Sequence, residues 1–251
     1  MRKFISKQSV ASWYALTALL ATFLVGQVIL WCFPDGRSMG ASLLFILMNL
    51  IPMIVAAVFS LVLSEVNSLG EFFKKVFLQK ESPLSWILAF FIPVIYYGIS
   101  ILLMNVRFTG NSLLAFFLYF PWTLLYGGLE EVGWRWFLQD HLSYSKHFIP
   151  KMMLLSIVWF LWHIPIYQLP WITAGSSNYL IFYLMILGNT FLFGALREYS
   201  KGAVPCILAH MLIDSLAVLM LVQSSLPQII FLVIFEILVS SWLVAIRKSE
   251  K

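Results

Sequence analysis

The sequence predicts an all-α protein: a polytopic transmembrane helix bundle of about eight spans, with both termini cytoplasmic. Three observations carry this. Of the 251 residues, 61% are hydrophobic and only 11% charged, against about 45–50% and about 25% in an ordinary soluble domain. A soluble chain of this size could not hide so much apolar surface. Apolar runs long enough to cross a bilayer, about 20 residues at about 1.5 Å each, recur along the chain. The basic residues are also shared unequally between the loops. A cytosolic globular enzyme, a disordered chain and a nucleic-acid module are excluded.

Arg2, Lys3 and Lys7 precede a first apolar run, 12–33. The run is too long for a signal peptide and no A-x-A-like cleavage site follows it, so it reads as an uncleaved span. The second span is 41–64. Segment 65–82 carries Glu65, Glu71, Lys74, Lys75, Lys80 and Glu81, with Phe72, Phe73, Val76 and Phe77 on one face. That pattern predicts a helix lying in the membrane interface. Further spans follow at 83–105, 112–138, 150–169, 178–198, 202–222 and 226–246. The chain then divides into N-terminal helices (1–111), a core (112–222) and a last helix with a basic tail (223–251).

With an even number of spans both termini share one side. The termini and even-numbered loops hold thirteen of the sixteen Lys and Arg, and the odd-numbered loops hold Arg37 and Arg107. The termini therefore face the cytoplasm, and the protein is a multi-pass protein of the cell membrane. Arg135 falls inside a span. Cys32 and Cys206 are too few for a disulfide framework or a thiolate zinc site.

Ionisable groups inside spans are costly and mark function. Here they are Glu130, Glu131, Arg135, His163, His210, Asp214 and Glu236. His141 and His147 read as surface residues of the loop after the fourth span. Glu131 and Arg135 are i,i+4 helix neighbours and can pair. Glu130, about 100° round the helix, faces elsewhere and stays free for chemistry. His163 stands two residues before the helix-breaking Pro165. Cys206, His210 and Asp214 share one face, and Asp214 can bond along the helix to fix the His210 tautomer. Counted from the cytoplasmic side, Glu130, His163 and His210 lie roughly 13, 18 and 13 Å deep. One shared site open toward the cytoplasmic leaflet accounts for this. Glu236 has no partner at a matching spacing and stays unassigned.

A carboxylate beside two imidazoles suits activated water. Glu130 can act as general base while the histidines stabilise an oxyanion or hold the leaving group. Alternatively, Glu130, His163 and His210 could bind Zn²⁺ and leave one position open for water. There is no His-Glu-x-x-His motif and no Gly-rich phosphate loop. A thiol mechanism through Cys206 and His210 is weaker, since two residues one turn apart on a helix rarely align for attack.

Glu130-Glu131-x-x-x-Arg135, the later span bearing His163, and His210-x-x-x-Asp214 resemble, in order, the three motifs of the CAAX protease and bacteriocin-processing family. This family of intramembrane endopeptidases includes the Ras-converting CAAX endopeptidase. The resemblance covers about residues 112–222. It implies that Glu130 activates water, His163 assists, and His210 with Asp214 forms the oxyanion side. Glu131 and Arg135 would support them. Where the family usually has Phe, four residues before the second-motif histidine, this chain has Trp159, and packing is the expected role. The implied partners are a peptide or lipidated-protein substrate and membrane lipids, and members are labelled metalloproteases. Two other readings remain: a non-catalytic bacteriocin immunity or peptide-binding membrane protein, and a proton-coupled carrier, against which the lack of an internal repeat counts.

Overall fold

The computed structural model describes residues 7–36, 38–143, 147–169, 171–172, 178–223 and 225–249. Arg2, Lys3, Arg37, Lys146 and Lys251, counted above among the loop charges, lie outside the described residues. The elements in chain order are α1 (Lys7–Cys32), α2 (Met39–Val62), α3 (Leu69–Phe77), α4 (Pro83–Leu102), β1 (Val106–Phe108) and α5 (Leu113–Thr123). They continue as α6 (Gln139–His141), α7 (Phe148–Tyr167), α8 (Tyr179–Tyr199), α9 (Val204–Leu216), β2 (Met220–Val222) and α10 (Leu226–Ser249). Between α5 and α6 the chain stays helical but widens into π-turns at Leu124–Gly128 and Val132–Leu138.

The protein is an all-α membrane bundle. Among the described residues, six helices are long and apolar enough to cross a bilayer. A seventh span is formed if Leu113–Gly128 and Val132–His141, bent by 46°, count as one. The expected span 202–222, seventh of the eight in chain order, is instead the 13-residue helix α9 followed by a strand. After Leu216 the chain leaves the helix, and Met220–Val222 pairs antiparallel with Val106–Phe108. A short apolar run does not distinguish strand from helix by hydropathy, so the sequence reads through the break.

Local signals set several helix starts. Ser38, Ser68 and Ser82 are N-caps whose side chains accept from the backbone N–H of Ala41, Glu71 and Ser85, satisfying donors that the first turn leaves free. Pro83 follows Ser82 at the first helical position, where its missing N–H costs nothing. The interfacial helix is shorter than 65–82 because Ser68 caps it. It buries Phe72 and Val76 but leaves Phe73 exposed.

Contacts sort the bundle into two ends. At one end Arg197 pairs with Asp140 at 2.7 Å. There too, Glu81 accepts from the N–H groups of Lys201 and Gly202 at 2.9 and 2.6 Å. Here His141 lies 2.8 Å from Glu65 and stacks on Phe137. His141 is therefore buried rather than a surface loop residue, because α6 carries the bent span one turn further; His147 is exposed. At the other end lie the β1–β2 ribbon and the bond from Gln228 Nε2 to the Leu103 carbonyl at 2.9 Å. Gly36, at φ 68°, passes beneath the Trp171 ring with no room for a Cβ. Chain direction alternates between these ends through α1, α2, α4, the bent α5–α6 span, α7, α8, α9 and α10. Both described termini therefore fall at the end that holds Lys74, Lys75, Lys80, Lys151, Arg197 and Lys201.

Candidate active site

The bent span sets the geometry. Leu129 N–H donates to the Leu124 carbonyl at 3.0 Å, an i→i+5 bond. Such a bond lowers the turn per residue from about 100° to roughly 80°. Glu130 and Glu131, in the turn that follows, both reach the same neighbour. Glu131 Oε1 lies 2.8 Å, and Glu130 Oε1 3.4 Å, from Nδ1 of His210 on α9. The expectation that Glu130 faces elsewhere is corrected: both carboxylates reach across to His210 on α9, which packs against this stretch of the bent span.

Their surroundings then separate them. Glu131 is fully buried, and both of its oxygens are committed, one to His210 and the other to Arg135 Nε at 2.8 Å. The expected Glu131–Arg135 pair is present. The Arg135 guanidinium lies over the Trp159 ring at 4.5 Å and near Phe193 at 5.5 Å, an arrangement that replaces water around a buried cation. Trp159 thus packs. Glu130 accepts from Trp134 Nε1 at 3.2 Å through Oε2, and it lines a cavity of about 450 Å³ that Glu131 does not reach.

The two histidines are oriented by their Nδ1 partners. A carboxylate or carbonyl oxygen can only accept, so each Nδ1 carries its proton. His210 Nδ1–H donates to Glu131 at 2.8 Å, and His163 Nδ1–H donates to the Trp159 carbonyl at 2.8 Å. Each Nε2 is left to the cavity side. Asp214 Oδ2 stands 3.6 Å from His210 Nε2, beyond hydrogen-bond length. The tautomer is therefore fixed by Glu131 across the helix interface, not by Asp214 along α9.

The cavity brings together Glu130, His163, His210 and Asp214, with Tyr126 and Tyr167 beside them. A second cavity of about 200 Å³ shares His163, Tyr167, His210 and Asp214 and adds Tyr96, Tyr97 and Asn189. Gly127 keeps the larger space open: a Cβ there would collide with the Asp214 carboxylate and lie 3.0 Å from His210 Nε2. Sequence reasoning missed Gly127 and the tyrosines. The paired glycines before Glu130 were the readable signal of close helix approach. Glu236 and Cys206 stand apart from both cavities. Cys206 is buried with its thiol toward the Phe193 carbonyl, and Glu236 packs against Gly188 with no hydrogen-bond partner among the described residues.

Along the bent span the cavity lining stops at Glu130 on the way to the basic end. Past Glu130 in that direction, Trp134, Arg135, Phe137 and Leu138 are all fully buried. The other lining residues include Ser42, Trp171, Ile172 and Ala217, all at the ribbon end.

A zinc ion held by Glu130, His163 and His210 would need ligand atoms about 2.0–2.2 Å from it. The described groups whose ligand atoms lie within 4.8 Å of one another are Glu130, Glu131 and His210, with His163 outside. In that trio His210 Nδ1 is a donor to Glu131, and Glu131 has no oxygen to spare. As arranged, these residues do not fit a zinc site.

The bundle thus gathers a carboxylate and two oriented imidazoles around one cavity, a set of groups suited to activating water. Residues 111–216, from the start of the bent span to the end of α9, match the family model described as type II CAAX prenyl endopeptidase Rce1-like. The matched segment includes Glu130, His163, His210 and Asp214. A comparison with curated proteins gives no match.

Proposed function

We propose that the protein hydrolyses a peptide bond with water activated by Glu130. The observation that carries this is the division of labour in the Glu-Glu pair. Glu131 is spent on Arg135 and His210, while Glu130 keeps an oxygen on the cavity beside both imidazoles. Glu130 takes a proton from water as the oxygen attacks the scissile carbonyl, and returns it to the leaving nitrogen as the C–N bond breaks. His210, when protonated, turns Nε2–H toward the developing oxyanion, with Asp214 as its nearest partner on that side. His163 Nε2 carries a lone pair and accepts a hydrogen bond from the attacking water. Glu131 and Arg135 position His210. The substrate is a peptide or a lipidated protein.

The test is cleavage by purified protein in detergent, read by mass spectrometry. Prenylated CAAX-type peptides and leader-type bacteriocin peptides form the panel. Glu130→Gln should lower the rate by about 10²–10⁴-fold, the usual worth of a general base, with its thermal midpoint unchanged. A folded and fully active Glu130→Gln would falsify the mechanism. The alternative use of these residues, a Zn²⁺ ion drawn in by a shift of His163, predicts loss of activity on chelation and recovery on adding zinc. Immunity or peptide capture that survives removal of the carboxylate would mark a binding protein instead.

A further inference from the structure

We infer that the apolar groove between α2, α3 and α9 binds one anionic phospholipid, with an acyl chain lying along the groove and the phosphate held by Lys74 and Lys80. The inference does not rest on the hydrolytic reading. It concerns the face of α9 that carries neither His210 nor Asp214.

Three observations converge. The first is the chemistry of the walls. The groove, about 1050 Å³, is lined by apolar side chains, and the Trp86 indole is the one hydrogen-bonding side chain among them. Ile54, Val58, Leu69 and Phe73 line it and are exposed, so the protein's own packing does not fill it. Such walls offer nothing to a peptide backbone or a sugar, whose polar groups need partners when buried. A hydrocarbon chain makes no such demand. The second is depth. Met53 stands nine residues before the end of α2, and Met211 seven residues after the start of α9, about 13 and 10 Å at the helical rise. Both of those helix ends lie at the basic end of the bundle, beside α3. The groove therefore runs from the α3 level into the depth of the bundle, as an acyl chain runs from its headgroup.

The third is charge. Lys74 stands in the chain between the lining residues Phe73 and Phe77, and Lys80 between Phe77 and Trp86. The carboxylates of the same stretch are already committed. Glu65 meets His141 at 2.8 Å, Glu71 pairs with Lys75 at 2.9 Å, and Glu81 accepts from the N–H groups of Lys201 and Gly202. Lys75 is committed too, to Glu71 and to the Glu65 carbonyl at 2.6 Å. Lys74 and Lys80 are exposed, and among the described residues neither ammonium has an ion-pair partner. Two uncommitted ammonium groups on flexible stems, set beside an apolar channel, complement a phosphate carried on a hydrocarbon chain. A zwitterionic headgroup brings its own cation and gains less from them. The ligand would also span a junction of the fold, since Ala203 N–H at the start of α9 donates to the Val76 carbonyl of α3 at 2.9 Å. Filling the groove braces both helices.

Native mass spectrometry of the delipidated full chain in detergent tests this, with phosphatidylglycerol and phosphatidylcholine of matched acyl chains as probes. One phosphatidylglycerol should be retained per chain, in preference to phosphatidylcholine, and it should raise the thermal midpoint. Lys74→Gln and Lys80→Gln should each cut its retention about fivefold, the usual worth of one basic side chain at an anionic surface. Both sites are exposed, so the midpoint of the lipid-free protein should not move. Val58→Trp, which sets a ring into the groove from an exposed position, should cut retention of both lipids. Inorganic phosphate alone should not displace the lipid. Equal retention of the two lipids by the native chain, unchanged retention in Val58→Trp, or displacement by phosphate would overturn the inference. Retention of a prenylated peptide in preference to phosphatidylglycerol would overturn it too, and would give the groove to a substrate's lipid. The readout needs no catalysis. A protein that holds the lipid as expected but cleaves nothing loses the hydrolytic reading and keeps the lipid site.

Discussion

The two halves of the bundle hold cavities of opposite character. Toward the basic end, α2, α3, the bent span and α9 enclose a groove of about 1050 Å³ whose walls are side chains such as Met53, Val58, Phe72, Phe77, Leu208 and Met211. No titratable side chain lines it. Toward the ribbon end, less than half that volume gathers Glu130, His163, His210 and Asp214. Volume alone would point to the wrong half. In a bilayer an apolar groove costs little, because lipid tails solvate it as well as side chains do. A buried carboxylate persists only where partners repay its desolvation. Chemistry therefore concentrates where the hydrogen-bond partners are, not where the space is. The wall between the halves is the contact of the bent span with α9, and two adjacent glycines face its two sides. Gly127 looks onto Asp214 and His210, and Gly128 onto Ile207 and Met211, which line the apolar groove.

The largest expected effect comes from removing the charge that holds this wall. Arg135→Ala leaves Glu131 buried and charged without the guanidinium that pairs with it. Breaking a buried pair from one side costs about 3–5 kcal/mol, and the stacking on Trp159 goes with it. Expression and the thermal midpoint in detergent should both fall sharply. An unchanged midpoint would mean that Glu131 is not carried by Arg135, and that the polar half is no more fragile than the apolar one.

The glycines sharpen the comparison, since neighbouring substitutions should fail differently. In Gly127→Ala the new methyl displaces the Asp214 carboxylate, a side chain that is one-third exposed and can swing. Cleavage should drop at least tenfold with little change in midpoint. In Gly128→Ala the methyl meets Met211 Cγ at 2.9 Å and Ile207 Cγ2 at 3.1 Å in packed apolar surroundings. Overpacking of that kind costs about 1–3 kcal/mol, and the midpoint should fall while the residual folded protein still cleaves. If the two variants share one phenotype, the wall does not partition the bundle.

Much of this was legible in the sequence, for identifiable reasons. The membrane class follows from composition, and the alternation of ends follows from loop charge. The Glu131–Arg135 pair follows from i,i+4 spacing, because that interaction lies within one helical turn. What escaped depends on irregular backbone. π-turns at Leu124–Gly128 and Val132–Leu138 flank Glu130 and Glu131, and no apolar pattern announces them. The partner of His210 is Glu131, 79 residues away, where helix spacing suggested Asp214. Trp134, Phe137 and Leu138 fill one level of the core against side chains of other spans. A linear reading sees only apolar residues there. The strand at Met220–Val222 was hidden for the same reason.

The smallest effect lies at the edge of the apolar half and should leave the polar half untouched. Helix α3 walls the large groove through Phe72, Phe73 and Phe77. It is anchored at its start by Glu71, which accepts from the Asn67 backbone N–H at 2.8 Å and pairs with Lys75 at 2.9 Å. The Asn67 N–H first, and the Lys75 ammonium after it, hold the Glu71 carboxyl down at about 2. A depressed carboxylate contributes stability that is full above its ordinary range, near 4.5 for this group, and fades as the pH falls toward about 2. The carboxylate is exposed and screened by solvent, so the contribution is local and modest. Amide protection in α3, corrected for intrinsic exchange, should fall between pH 5 and about pH 3 in the native chain. In Glu71→Gln it should be low at both, since an amide cannot titrate through that window. Equal protection of the native helix at both pH values would detach α3 from this anchor. A parallel loss of peptide cleavage in Glu71→Gln at neutral pH would join the two halves that the glycine wall is argued to separate.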